Sequence, residues 1–308
     1  MDNPTQSKQL EESHRETSSS DPTRPLAPDS EQPVRPITAV SWYNLGFACD
    51  LVFLIAAFII ALVMSNLHPF ERPVDLKDTD LMHPHMSNIV PNYLLIILAV
   101  LIPAAVGSLW YLMIFLTGRV SLHDSLYSFH LFLVSLFLSI SLTMAATNLM
   151  KNWAGRLRPD FLDRCQYNMT TSVCTGDPSL VEDGRKSFPS GHASISFSGL
   201  GFLALWIYGL VLAGIIVRPQ NGQREENGQR YIPNRPVRAW RFIMPAIPLL
   251  LAAWVAITRT QQYIHHPTDV IAGSILGLVV AFLFYFLYYR KHRIQSFSVY
   301  ARVPSSNA

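Results

Sequence analysis

Six long apolar runs, separated by short polar connectors, dominate this chain and leave it few ways to fold. A bilayer core of about 30 Å is crossed by about 20 mostly apolar helical residues. Residues 45–65, 93–116, 126–150, 190–217, 242–258 and 269–289 all qualify. None alternates with period two, which excludes an outer-membrane barrel. Pro103 predicts a kink in the second run, of a kind that membrane helices tolerate, and Pro245 and Pro248 blur the start of the fifth and shortest. The first run follows about 40 polar residues and is too long for the apolar stretch of a cleavable signal peptide. The chain is therefore expected to be all-α and polytopic, with six transmembrane helices.

Composition agrees. Charged residues make up 15% of the chain, against about 25% in an average soluble domain. Those in the middle cluster in the gaps between runs, which excludes a soluble enzyme, a nucleic-acid binder and a disordered protein. A net charge of +3 is too small and scattered to imply an acidic partner. Residues 1–38, rich in Ser, Thr, Pro and acidic side chains, predict a disordered tail. Residues 42–290 form the membrane domain, and 291–308 predict a short, basic, flexible tail. Residues 218–238 carry two Asn-Gly pairs and three prolines and predict a loop.

Lys and Arg set the expected orientation. Fifteen lie on the side of the N-terminus and nine on the other, so both termini are expected in the cytosol. The six in the third connector oppose that bias and need another explanation. That connector also holds Cys165 and Cys174, flanking the glycosylation sequon Asn168-Met169-Thr170. A disulfide and a glycan are both allowed if it faces an oxidising compartment. Cys49, within the first run, reads as a small packing residue.

Three polar clusters then fall at one face. The chain leaves the third run through Lys151 to Pro159, including Arg156 and Arg158. It enters the fourth through Ser187-Phe188-Pro189-Ser190-Gly191-His192. It links the fifth and sixth through Thr258-Arg259 and Tyr263-Ile264-His265-His266-Pro267-Thr268-Asp269. After an odd number of crossings each lies opposite the termini, and boundary charges of this kind mark function.

Their chemistry points to phosphoryl transfer onto a histidine. Arg158, Arg259 and Lys151 suit an oxyanion with several oxygens. Ser190 and Gly191 open the fourth helix, where free backbone amides and the positive dipole end favour an anion. Pro267 marks the first turn of the sixth helix, with His265 just before it and Asp269 within it. Asp269 can orient one nitrogen of His265 and leave the other to attack phosphorus, and His192 is the available proton donor for the leaving alkoxide. No acidic cluster or paired histidine set suggests a metal cage, and three cations supply a metal's electrostatics. The expected reaction thus needs no cofactor, magnesium included.

The spaced set Lys151-x6-Arg158-Pro159, Pro189-Ser190-Gly191-His192 and Arg259-x5-His265-x3-Asp269 resembles the three-part signature of the lipid phosphate phosphatases, or type 2 phosphatidic acid phosphatases. The resemblance spans about residues 42–290 and implies their six-helix, haloperoxidase-like core. It implies that Lys151, Arg158, Ser190, Gly191 and Arg259 hold phosphate, with His192 as acid, His265 as nucleophile and Asp269 as its partner. The implied substrate is a membrane lipid phosphate: phosphatidate, lysophosphatidate, diacylglycerol pyrophosphate or a sphingoid phosphate. Residues 69–73, continuing through Asp75 and Asp78 to His83-Pro84, resemble the first loop of eukaryotic members acting on glycerophospholipids. Three positions depart from the pattern: Thr258 replaces the usual Ser, Gln262 stands where many members have Asp, and Pro267 replaces a bulkier residue.

Plainer readings stand beside these. Lys151 alone is a snorkelling boundary lysine, and Arg158-Pro159 reverses that. His266 reads as a structural neighbour, Arg156, Arg185 and Lys186 as solvated loop charges or added positive potential, and His130 as a bundle histidine. Asp50 reads as interfacial, and Gly273 with Gly277 as a helix-packing face. The rival functions are a lipid headgroup phosphotransferase, a vanadate haloperoxidase and a catalytically silent lipid-binding protein. The intact first cluster disfavours the first, six spans the second, and a filled set of catalytic positions the third.

Overall fold

The computed structural model describes residues 45–118, 120–171, 173–216 and 242–300. The expected tail over 1–38 and the connector over 218–238 lie outside the described residues. Six described helices are long and apolar enough to cross a membrane. They are α1 (Leu45–Ser65), α2 (Asn92–Leu116), α3 (Leu122–Ala154), α6 (Gly191–Ile216), α7 (Ile243–Gln261) and α8 (Pro267–Tyr300). Between α3 and α6 lie α4 (Phe161–Cys165), the hairpin strands β1 (Tyr167–Asn168) and β2 (Val173–Cys174), and α5 (Pro178–Gly184).

Two expectations are corrected by the helix ends. Helix α8 continues to Tyr300, so the first part of the expected flexible tail is helical. No Gly or Pro interrupts residues 290–300 to stop it. Helix α3 overruns its apolar run at both ends. Ser121 caps it by accepting from the amide of Asp124, and Gly155 ends it in the left-handed conformation (φ 53°). A side chain at Gly155 would also strike the carbonyl of Phe70, with a Cβ only 1.9 Å from that oxygen. Glycine there lets the α1–α2 loop dock on the end of α3.

The irregularity expected at Pro103 is a π-helical turn, Ile97–Leu101, just ahead of it. A proline ring clashes with the carbonyl four residues back, here that of Ala99. The widened turn brings the Ala99 carbonyl against α6, where a Cβ on Gly199 would come within 1.8 Å of it. Pro248 lies inside α7, and Pro245 in its first turn.

The core changes character along the bundle. Away from the polar clusters it is aromatic, built from Tyr111, Phe132, Phe202, Trp206 and Tyr285. Toward the clusters it is small and hydroxylated. Ser139 and Thr143 meet Ser198 at 2.8 and 3.1 Å, and Thr147 meets Ser194 at 2.8 Å. Such interhelical hydrogen bonds average about 0.6 kcal/mol each, so the ladder fixes register more than it adds stability. Gly273 and Gly277 of α8 press on the same stretch of α6, against the carbonyls of Ser190 and Ser194. Small residues let α3, α6 and α8 approach closely where the site must be assembled.

Candidate active site

The three clusters meet at one end of the bundle. Short backbone bonds pull their loops together: Arg158 N to Gly184 O at 2.9 Å, Ser187 N to Arg156 O at 3.0 Å, and Ser190 N to Asp269 O at 3.0 Å. The last joins the start of α6 to the first turn of α8. Ser190 is the N-terminal cap of α6, its Oγ accepting from the amide of Ala193 at 3.5 Å. Its own amide is therefore taken, and the turn offers an anion the amides that follow. A Cβ on Gly191 would lie 3.5 Å from Nζ of Lys151, so the glycine leaves room beside that ammonium.

Arg158, Arg259, His265 and Asp269 are all buried. Among the described residues, neither Nε of Arg158 nor Nδ1 of His265 meets a hydrogen-bond partner. An orphaned buried donor costs about 1–3 kcal/mol, and an anion seated beside Arg158 relieves it there. Burial, reinforced by Arg158 and Lys151 and opposed by Asp269, lowers His265 to about 3. The imidazole is therefore neutral at ordinary pH. Burial likewise pulls Arg158 below its usual value, while Asp183 pulls it back. A cavity of about 330 Å³ adjoins Lys151, bounded by Met64, Ser65, Asn148 and Asp183.

Asp269 is positioned by more than His265. Its Oδ1 accepts from Arg156 at 2.6 Å. Its Oδ2 accepts from Ser187 Oγ at 2.6 Å and from the backbone amide of His266 at 3.2 Å, with the His266 ring 3.3 Å away. The bond to the His266 amide closes the N-terminus of α8 as a capping-box acid does. Nδ1 of His265 lies farther off, at 3.9 Å. His192 points Nε2 at the carbonyl of Val90, 2.9 Å away, which leaves Nδ1 as the nitrogen free to handle a proton.

A chain of ion pairs that sequence reasoning missed braces Arg158. Its Nη2 meets Asp183 at 2.8 Å, Asp183 meets Arg164 at 2.9 Å, Arg164 meets Asp160 at 2.8 Å, and Asp160 meets His85 at 2.7 Å. Burial works against the charge of Asp183, but Arg158, Lys151 and Arg164 hold its carboxyl below the usual range. This network explains much of the positive excess in the third connector, because Arg156, Arg158 and Arg164 each face a carboxylate. Of the charges read as solvated or as added potential, Arg156 thus pairs with Asp269. Lys186 pairs with Glu182 at 2.7 Å, and Arg185 stacks over the Phe161 ring at 5.1 Å. No sequence signal marks Asp183 or Asp160, since each is one acid among several in a polar connector.

The remaining expected positions lie nearby. Cys165 and Cys174 are joined by a disulfide with Cα atoms 4.7 Å apart, which ties the end of α4 to β2. Asn168 is in that hairpin, its Oδ1 accepting from the amides of Thr170 and Thr171. His130 packs against Phe47, with ring centroids 4.0 Å apart.

The profile described as "PAP2 superfamily" matches residues 132–293, which include all three clusters. The chain is 33% identical over 250 residues to lipid phosphate phosphatase 2 of Arabidopsis thaliana, covering 78% of this chain and 76% of that protein. It is 34% identical over 251 residues to diacylglycerol pyrophosphate phosphatase 1 of Saccharomyces cerevisiae, covering 77% of each. No solved structure matches the chain significantly.

Proposed function

The chain belongs to the PAP2 superfamily, and on that premise we propose that it is a membrane lipid phosphate phosphatase, acting on phosphatidate or a close relative to release a neutral lipid and phosphate. One observation carries the reading: Lys151, Arg158 and Arg259 converge with His192 and His265, and the buried Nε of Arg158 there awaits a partner. Three cations receive the phosphoryl oxygens. Nδ1 of His265 faces Asp269, so Nε2 attacks phosphorus. The bond from phosphorus to the lipid oxygen breaks as that oxygen takes a proton from His192. Water then attacks the phosphohistidine, giving up a proton to His192, and inorganic phosphate leaves.

The three cations stabilise the transition state without a metal, and vanadate mimics its five-coordinate geometry. Phosphate release from phosphatidate, lysophosphatidate, diacylglycerol pyrophosphate and sphingoid phosphate, measured on purified protein, is expected to persist in excess EDTA and to be blocked by vanadate. Strict dependence on added magnesium would sink this mechanism. We place both termini in the cytosol and the site on the opposite face, a reading supported by the Lys and Arg bias and by the sequon on a site-side loop. Asn168 is then open to glycosylation, whereas a sequon built at Asn221 by Gln223→Thr is not. A glycan at Asn221 would invert the topology.

A further inference from the structure

The segment that carries the α1–α2 loop into α2 forms a fourth wall of the site, outside the three motif clusters. It reaches Arg259 through a side chain. The Arg259 guanidinium is 1% exposed and carries five N–H donors. Nε and Nη2 donate to Oγ1 of the adjacent Thr258 at 3.1 and 3.0 Å, and Nη1 donates to Oδ1 of Asn88 at 3.2 Å. One N–H on each terminal nitrogen then remains, the pair that a bidentate contact with phosphate oxygens uses.

Thr258, next to Arg259 in the same helix, holds the Nε–Nη2 edge of the guanidinium. Asn88 comes from another element and closes the far side. The same segment has two further ties. The carbonyl of Ser87 accepts from Nε2 of Gln262, and that of Val90 accepts from His192. Just before it, His83 stacks on Tyr263 at 4.2 Å and 4°. Tyr263 has a positive φ of 56° and precedes His265 by two residues. Strained backbone of this kind persists where neighbours over-determine it.

We infer that Asn88 is a positioning residue that presents the Arg259 fork to the phosphoryl group; this rests on the reading of Arg259 as a phosphate-binding residue. A hydrogen bond to a charged group is worth enough that its loss weakens binding about tenfold or more. The contact serves ground state and transition state alike, so KM carries the loss and kcat moves less.

The test uses the full-length protein in detergent micelles, with phosphatidate as substrate and inorganic phosphate as competing ligand. Asn88→Ala is expected to raise the inhibition constant for phosphate and the KM about tenfold. In an Arg259→Lys background the same change is expected to add less than about twofold, because the group it orients is gone. If Asn88→Ala does not fold, Asn88→Asp keeps the acceptor but sets a carboxylate against the incoming anion, and phosphate inhibition should weaken again. Met86→Ala, at an exposed neighbour, should behave as the parent. Unchanged phosphate inhibition in the Asn88 variant that folds, or a full tenfold loss in the Arg259→Lys background, would overturn the assignment. Unchanged inhibition in Arg259→Lys alone would instead overturn the reading of Arg259.

Discussion

Nδ1 of His265 stands 3.9 Å from Oδ2 of Asp269, beyond hydrogen-bond reach. The carboxylate is meanwhile anchored by Arg156 and Ser187, each at 2.6 Å. Asp269 is thus held in place independently of the histidine it is expected to serve. On the reading of His265 as the nucleophile, attraction between the two grows as the ring gains positive charge, and Asp269 then favours the transition state over the resting enzyme.

Asp269→Asn should therefore slow phosphohistidine formation by about 10²-fold or more, as loss of an orienting carboxylate does elsewhere. Inhibition by inorganic phosphate should change far less, since the cations that bind it remain. Rapid-quench trapping gives the first quantity and steady-state inhibition the second. Equal losses in both would mean that Asp269 acts by holding the site together.

Acid should destabilise the folded protein through His265. An unfolded histidine titrates near 6.5, whereas burial, with Arg158 and Lys151, holds this one at about 3. Between those values the unfolded chain takes up a proton that the native site refuses, so native stability falls as pH drops through that window. His265→Asn removes the penalty. Relative to the parent, that variant should gain about 2 kcal/mol between about pH 7.5 and 5, visible as a shift in apparent melting temperature. A pH-independent difference would contradict the buried, neutral imidazole.

On the reading of His192 as the acid, Nδ1 is the nitrogen that gives the proton, because Nε2 is directed at Val90. A lipid alkoxide needs that proton and a nitrophenolate does not. His192→Ala should slow phosphohistidine formation from phosphatidate by about 10²–10⁴-fold and from a nitrophenyl phosphate much less. Equal slowing on both substrates, followed by rapid quench, would remove His192 from the acid role.

Gly277 packs within this molecule. A Cβ there would fall 2.2 Å from Ser194 O and 2.8 Å from Ser198 N. Gly277→Val should cost about 1–3 kcal/mol through overpacking and lower the melting temperature, whereas Ile275→Val, on an exposed face of α8, should not. An altered oligomeric state with unchanged melting would assign the glycine to an interface between copies instead.

Six membrane helices were legible because length and hydropathy are local properties, fixed by the thickness of the bilayer. The shared face of the three clusters followed from counting crossings, and the residue types at Lys151, Arg158, His192, Arg259 and His265 suggested the chemistry proposed for it. Helix ends were less legible. An apolar run reports the membrane core, whereas α3 ends where Ser121 and Gly155 cap it. Only the tertiary structure decided how Asp269 is held by Arg156, Arg158 by Asp183, and Arg259 by Asn88. Those partners are 113, 25 and 171 residues apart, in connectors whose packing follows no helical or strand period. A charge in such a loop reads the same whether water or a buried carboxylate neutralises it, and the fold determines which.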